Sequence, residues 1–410
     1  MDSSTSWMPR RIVIVEEQLW GVTSHHIEYL QDLMDFAQTE GCEVTVLCNR
    51  RAGHEVVTRL HAKPVLSGVS NSSLQHLHGR VAKQFATIYG AVRNAWIILR
   101  ELRSQSRVDL IVVPTAWYPH LLSIIPAAVI NRRKANALVM QFLCQWNTKS
   151  RKSSRQLAFV RRLMLFLQRL HPKVTYVTQT ELARGDLAGG DGPRVQYAPD
   201  VAHPIKGQMK RQVKQGNEPL AFGFLGFARY EQGSDVLLDA LRLLFSRCPK
   251  VNAEFHIFWP TGGFITPDGL WVEPGSQFGD NVKFYGSIVP RTEYLALLGQ
   301  LDWVLLPYRV HPYAKRSSQV AIDAAIRGIP AIYTVGTWQE LTFSNFGAGL
   351  GVEDGKPQEL AAAIEEACNN NASYQRLASE KAPVARHAFS PEAFWRAVVN
   401  SEPDIASEKR

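Results

Sequence analysis

Residues 302–338 read DWVLLPYRVHPYAKRSSQVAIDAAIRGIPAIYTVGTW. Trp303–Leu306 is an unbroken apolar run closed by Pro307, as expected of a parallel strand buried on both faces. Tyr308–Arg316 is a polar loop holding Arg309, His311, Lys315 and Arg316. Ser317 and Ser318 stand where a helix N-cap belongs, ahead of Val320, Ala321, Ala324 and Ala325 on one helical face. Gly328 closes that helix, Ile329–Tyr333 supplies the next strand, and Gly336-Thr337 ends it. Strand, loop, helix, strand is a βαβ unit. Its basic loop and the N–H groups that open its helix meet at the carboxyl end of a strand. Open α/β sheets bind ligands there, and this chemistry favours an anion.

The same residues resemble the donor-site signature of retaining, family-4-type (bacterial, group 1) glycosyltransferases. Tyr313, Arg316, Ser318, Asp323-Ala324, Gly328-Ile329-Pro330 and Gly336-Thr337-Trp338 fall on its Y-x-x-R-x-S-G, E-A, G-x-P and G-T-W elements. Two positions depart from it. The family's pair of glutamates falls on Lys315 and Asp323, and Gln319 replaces the glycine after Ser318. The resemblance implies an α/β chain of the GT-B fold, two Rossmann-like domains facing a central cleft.

The chain has 410 residues, enough for two domains with cores of their own. Met1–Arg10 is polar and leads straight into the run Arg11–Val15, unlike a signal peptide. Residues 110–130, LIVVPTAWYPHLLSIIPAAVI, carry no charge and match a bilayer in length. Pro114, Pro119 and Pro126, with His120, instead divide them into strand, loop and short helix. Five scattered cysteines without metal or redox spacing point to a reducing cytoplasm. Charge is uneven: residues 1–205 hold 25 Lys+Arg and 15 Asp+Glu, the remainder 21 and 22. The first half therefore calls for an anionic partner.

That half alternates strands and helices. Ile12–Val15 and Val44–Leu47 read as strands around a helix from His26 to Thr39, and residues 49–72 read as irregular. Val81, Phe85, Ile88, Val92 and Trp96 recur at three- and four-residue steps, marking a helix from about Leu74 to Leu102. Further strands are expected at Leu110–Val113, Ala137–Phe142, Val174–Val177 and Val195–Tyr197. Between Lys149 and Arg169, seven cations interleave with Leu157, Phe159, Leu163, Phe166 and Leu167. This composition suits either an interfacial helix on an anionic membrane or a core helix with a solvated basic face; the charge asymmetry favours the membrane. No nucleic-acid motif or interleaved stacking aromatics accompany these cations, so no nucleic-acid partner is expected.

Asp200–Asn217 is polar and reads as the linker, so the expected domains are 1–205, 206–389, and a final helix, 390–410, crossing back to the first. Leu220–Gly233 passes from a strand through a glycine turn to a helix, and Pro260–Asp280 suggests an insertion or hairpin. The family resemblance implies roles for particular residues. Arg229 matches the arginine that neutralises the donor diphosphate; Gln232 occupies the companion lysine position, and Lys315 and Arg316 supply further positive charge. Ser317, Ser318 and Gln319 offer backbone donors, and Asp323 is assigned to the ribose hydroxyls. Gly21 lies in the loop facing the donor, and Ile288 in the loop around the nucleobase. His120 is the candidate catalytic histidine after a first-domain strand, with a structural histidine as the alternative. His25 and His26 are either ligand contacts or solvated residues of a helix start.

The implied activity is transfer of a sugar from a nucleotide sugar to an acceptor hydroxyl, with retention at the anomeric carbon. Cell-surface polysaccharide or glycolipid synthesis fits best, with a lipid-linked acceptor at the inner face of the plasma membrane. No D-x-D acid pair occurs, so neither a metal nor another cofactor is expected. A nucleotide-sugar epimerase or phosphorylase, or a non-catalytic scaffold of the same fold, are the alternative classes, since fold does not fix function.

Overall fold

The computed structural model describes residues 7–19, 25–69, 74, 78–105, 107–131, 134–143, 151–171, 173–202, 218–259, 262–274, 278–286 and 290–399. The chain divides into two compact units, Met1–His203 with Pro391–Arg410, and Pro204–Ser390.

The first unit runs β1 (Arg11–Glu16), α1 (His25–Thr39), β2 (Glu43–Asn49), α2 (His54–Arg59), β3 (Lys63–Leu66), α3 (Arg80–Ser104), β4 (Val108–Ala116), α4 (Tyr118–Ile130), β5 (Ala135–Phe142), α5 (Arg151–Leu170), β6 (Val174–Thr178), α6 (Glu181–Ala188) and β7 (Val195–Tyr197). Its seven strands are ordered β3-β2-β1-β4-β5-β6-β7, every pair parallel. The second runs β8 (Leu220–Phe224), a 3-10 turn (Tyr230–Gln232), α7 (Ser234–Arg247), β9 (Ala253–Phe258), β10 (Phe264–Ile265), β11 (Trp271–Val272), β12 (Val282–Tyr285), α8 (Arg291–Gln300), β13 (Trp303–Leu306), the short turn α9 (Val310–Tyr313), α10 (Gln319–Ala325), β14 (Ala331–Thr334), α11 (Trp338–Phe346), β15 (Gly349–Val352) and α12 (Pro357–Ala388). Its main sheet is β12-β9-β8-β13-β14-β15, again parallel throughout. The chain then returns to the first unit as α13 (Pro391–Val399), where Trp395 donates from Nε1 to Leu33 O at 3.0 Å.

Two-residue alternation along the strands sorts side chains to the two faces of each sheet. In the first unit, Val13 and Val15 join α3, α4 and α5 in one core. Ile12 and Ile14 join α1, α2 and α13 in the other. Burial on both sides explains why these strands read as continuous apolar runs.

Several expectations change. Residues 49–72 are not irregular throughout, since they contain α2 and β3. β3 is a four-residue edge strand beginning Lys63-Pro64, and edges carry such residues because their outer backbone groups need no partner. The helix expected from Leu74 starts at Arg80. The last long helix of the second unit, α12, is kinked at Asn370. Pro260–Asp280 does contain a hairpin, the antiparallel pair β10 and β11.

Two helices differ in which face they bury. On α5, Leu157, Val160, Met164 and Leu167 pack into the core, and Arg161 donates to the carbonyls of Asp186 and Leu187 at the end of α6. One side of α5 is thus committed to the protein interior, while Phe159 and Phe166 of the same run stay exposed. On α3 the opposite holds. Val81, Phe85, Ile88, Val92 and Trp96 are exposed, while Ala91, Asn94, Ile97, Ile98 and Leu102 are buried. Residues 110–130 form β4 and α4, and among the described residues no helix is long and apolar enough to cross a membrane.

Candidate functional site

Strand order in each sheet reverses once about a central pair: β8 and β13 in the second unit, β1 and β4 in the first. The loops leaving such a pair run in opposite directions and open a crevice at the carboxyl ends. The residues singled out by sequence fall on both pairs.

In the second unit β8 leads into Arg229, whose backbone N–H donates to Ser234 Oγ at 2.9 Å while that hydroxyl donates back to Arg229 O at 3.1 Å. This doubly bonded turn holds Arg229 in place at the start of the 3-10 turn, with its exposed guanidinium over the Phe227 ring at 5.5 Å. Gly233 follows in the left-handed region at φ +68°, and a Cβ there would sit 1.8 Å from Pro307 O. Only glycine permits this approach, which sets the turn after β8 directly against the exit of β13. Further contacts join the same two loops. Arg309 donates its backbone N–H to Glu231 O at 3.0 Å and lays its guanidinium over the Tyr230 ring at 4.5 Å. Its side chain also pairs with Asp235 and Asp354. Burial lifts the Asp235 carboxyl above its ordinary range, opposed by Arg309. Arg316 lies over Tyr313 at 5.4 Å, with Glu231 3.9 Å from its guanidinium.

The structure thereby brings the turn bearing Arg229 and the loop bearing Lys315 and Arg316 together at one strand crossing. Lys315 and Ser317 are half-buried beside the exposed Arg316. Ser318 is an N-cap, its Oγ accepting from Ala321 N at 3.4 Å, and Gln319 opens the seven-residue α10.

Two of the residues expected at the donor are buried. Asp323 is fully buried: Tyr294 donates to it at 3.3 Å, Gln319 Nε2 donates at 3.2 Å, and the Arg327 guanidinium lies 3.6 Å away. These contacts tie the Asp323 carboxylate to α8 and along α10. Gln232 is likewise buried, donating from Nε2 to the Tyr313 hydroxyl at 3.2 Å, while its Oε1 has no hydrogen-bond partner. It braces the two loops where a lysine would have projected from them. Sequence reading missed Arg309 as the principal tie between the loops, because a basic residue in a polar loop reads first as a ligand contact. Gly21 and Ile288 lie outside the described residues, as do the side chains of His25 and His26.

In the first unit the crossing of β1 and β4 holds a buried polar cluster. Glu16 closes β1 and Glu17 follows it, Thr115 stands near the end of β4, and His120 sits in the first turn of α4, all nearly or fully buried. The Thr115 hydroxyl donates to Glu16 at 2.6 Å, and Gln18 N donates to the same carboxyl at 2.9 Å. Burial outweighs these bonds and, with Glu17 alongside, pushes the Glu16 carboxyl up to about 8. Trp117 N donates to His120 Nδ1 at 2.9 Å, so the neutral ring carries its proton on Nε2, 3.7 Å from Glu17 Oε1. Burial lowers the His120 pKa, while the Glu17 carboxyl opposes it. Tyr29 donates to Gln141 Oε1 at 2.8 Å from the neighbouring end of β5. Glu16, Glu17 and Thr115 were not singled out by sequence, although two consecutive carboxylates ending an apolar strand are a readable signal. A concavity lined by Arg10, Arg107, Asp109, Lys173 and Arg194 lies at the amino ends of these strands, at the opposite edge of the sheet from the crossing of β1 and β4.

Among the described residues no cluster of His, Cys, Asp and Glu could hold a metal ion. No protein-family model and no curated protein matches the chain. Solved structures do. Anabaena HepE in complex with UDP is similar at 15% identity and a TM-score of 0.63, over 95% of this chain and 98% of that one. Sucrose-phosphate synthase from Thermosynechococcus elongatus matches at 15% identity and 0.58, covering 94% and 96%. The glycosyltransferase SnogD from Streptomyces nogalater matches at 18% identity and 0.51, covering 95% and 99%. The chain therefore has the GT-B fold, two Rossmann-like units each built on a parallel sheet.

Proposed function

We infer that the chain transfers a sugar from a nucleotide-sugar donor to an acceptor hydroxyl. The observation that carries this reading is the crossing of β8 and β13, where Gly233 packs against Pro307 and brings Arg229 near the loop of Lys315 and Arg316. The chemical need in such a transfer is to stabilise a diphosphate leaving group as negative charge grows on it. Arg229, Lys315 and Arg316 supply positive charge, and the backbone N–H groups at the start of α10 supply donors. The likeness to HepE, solved with UDP and with UDP-glucose, supports a nucleotide sugar as the donor.

We assign the acceptor to the first unit, with His120 and the carboxyls of Glu16 and Glu17 nearest the carboxyl ends of its strands. Retention at the anomeric carbon belongs to the same proposal, with the departing phosphate helping to take the acceptor proton. So do catalysis without a metal and an acceptor lipid-linked at the cytoplasmic face of a membrane. The test is a panel of nucleotide sugars, read by thermal shift and donor turnover on the full chain. A transferase is stabilised by one donor class and consumes it only when acceptor is added. Interconversion of donors without acceptor would mark an epimerase, and absence of both binding and turnover a scaffold.

A further inference from the structure

The exposed stripe on α3 is not used by anything described above. Val81, Phe85, Ile88, Tyr89, Val92 and Trp96 each leave between 57% and 71% of their surface open. At about 1.5 Å per residue they cover roughly 22 Å along the helix. Their outward aim is fixed by the opposite face. Asn94 accepts from Ser67 N at 2.7 Å and donates to Ser67 O at 2.9 Å, and Arg93 donates to Val65 O at 3.1 Å. Gly90 adds a close approach: a Cβ there would lie 3.0 Å from Gly68 O. Rotating α3 to bury the stripe would break all of these bonds. The neighbouring α4 extends the apolar surface with exposed Leu122 and Ile130, and α5 adds exposed Phe159 and Phe166.

The stretch of sequence that carries α3, α4 and α5 is strongly basic. Residues 80–170 contain 16 Lys+Arg and only 2 Asp+Glu. Both acids are already paired, Glu101 with Lys63 at 2.7 Å and Asp109 with Arg107 at 3.6 Å. Arg100 and Arg103 are exposed just beyond Trp96. Apolar residues with Tyr and Trp among them, followed on the same helix by exposed Arg100 and Arg103, fit the boundary between acyl chains and anionic headgroups. A second copy docked on the same face would bring the cations of this basic stretch against their own kind. Aliphatic Val and Ile give a nucleic acid nothing to stack on.

We propose that the outer face of α3, continued by α4, is a docking surface for an anionic lipid bilayer, which the chain meets side-on without spanning it. The inference rests on exposure and charge and is independent of the donor reading. Flotation of the full chain with vesicles tests it, using phosphatidylcholine alone or mixed with phosphatidylglycerol. Binding is expected on the anionic vesicles only, falling as salt rises. Phe85→Glu with Trp96→Glu is expected to cut partitioning roughly a hundredfold, since two large side chains lose their apolar burial. Both residues are exposed, so the thermal melt should not move. Arg100→Glu with Arg103→Glu should remove the preference for anionic lipid. The proposal is overturned if the wild-type chain ignores anionic vesicles at low salt, or if the folded Phe85→Glu, Trp96→Glu protein partitions as wild type does. It is equally overturned if the stripe variant converts a wild-type dimer to a monomer and neither binds vesicles. No nucleotide sugar enters the assay, so its failure would leave the donor assignment untouched.

Discussion

Replacing Glu16 with Gln should make the protein more stable at alkaline pH while changing little under mildly acidic conditions. Glu16 is buried beside Glu17, and burial raises its carboxyl from 4.5 to about 8. Between those values the folded chain keeps a proton that the unfolded chain has released. Stability therefore falls as pH rises from about 4.5 to about 8 and levels off above. At 1.36 kcal/mol per pH unit the cost above pH 8 is on the order of 5 kcal/mol. Gln is close in shape to the protonated acid and keeps an oxygen that can accept from Thr115 and Gln18. It has no proton to lose. Urea denaturation of wild type and Glu16→Gln across pH 5 to 9 measures the effect, with equal stabilities expected near pH 5 and a gap of several kcal/mol favouring the variant at pH 9. Parallel curves at all pH values would refute the reasoning and show that Glu16 ionises freely in the folded protein.

Asp323→Ala should cost about 3–5 kcal/mol of stability, because it leaves the buried Arg327 without its carboxylate; chemical denaturation checks this. Gly233→Ala should lose at least ~1–2 kcal/mol from the left-handed backbone alone and more from the approach to Pro307 O, seen as a lower melting temperature. Tyr313→Phe should lower stability by about 1 kcal/mol, since it removes the acceptor for the buried Gln232 amide, again read by denaturation.

The fold was most legible where strands are buried on both faces. Trp303–Leu306 and Ile12–Val15 announce themselves as apolar runs because no side of either strand meets water. β3 was illegible for the opposite reason: an edge strand opening with Lys and Pro looks like a loop. On α3 the periodicity marked the helix but not the face that packs, because apolar residues stand on both sides and the Asn94–Ser67 bonds decide between them. The site was partly legible. Glycine placement foretold the turn at Arg229 and Gly233, since a positive φ and a 1.8 Å approach leave no other residue type. The burial of Asp323 was not, since a carboxylate on a helix is read as exposed until its neighbours are seen. Arg327, one turn further along, was the sequence clue to an internal ion pair.

The central claim is that the second unit binds a nucleoside diphosphate at the crossing of β8 and β13. Calorimetric titration of UDP and GDP into the full wild-type chain and into Arg229→Ala tests it most directly. The account predicts saturable binding of at least one of them, weakened by about 1.5–3 kcal/mol, roughly 10- to 100-fold, in the variant. A wild-type chain that binds neither nucleotide, or a variant that binds as tightly as wild type, would contradict it.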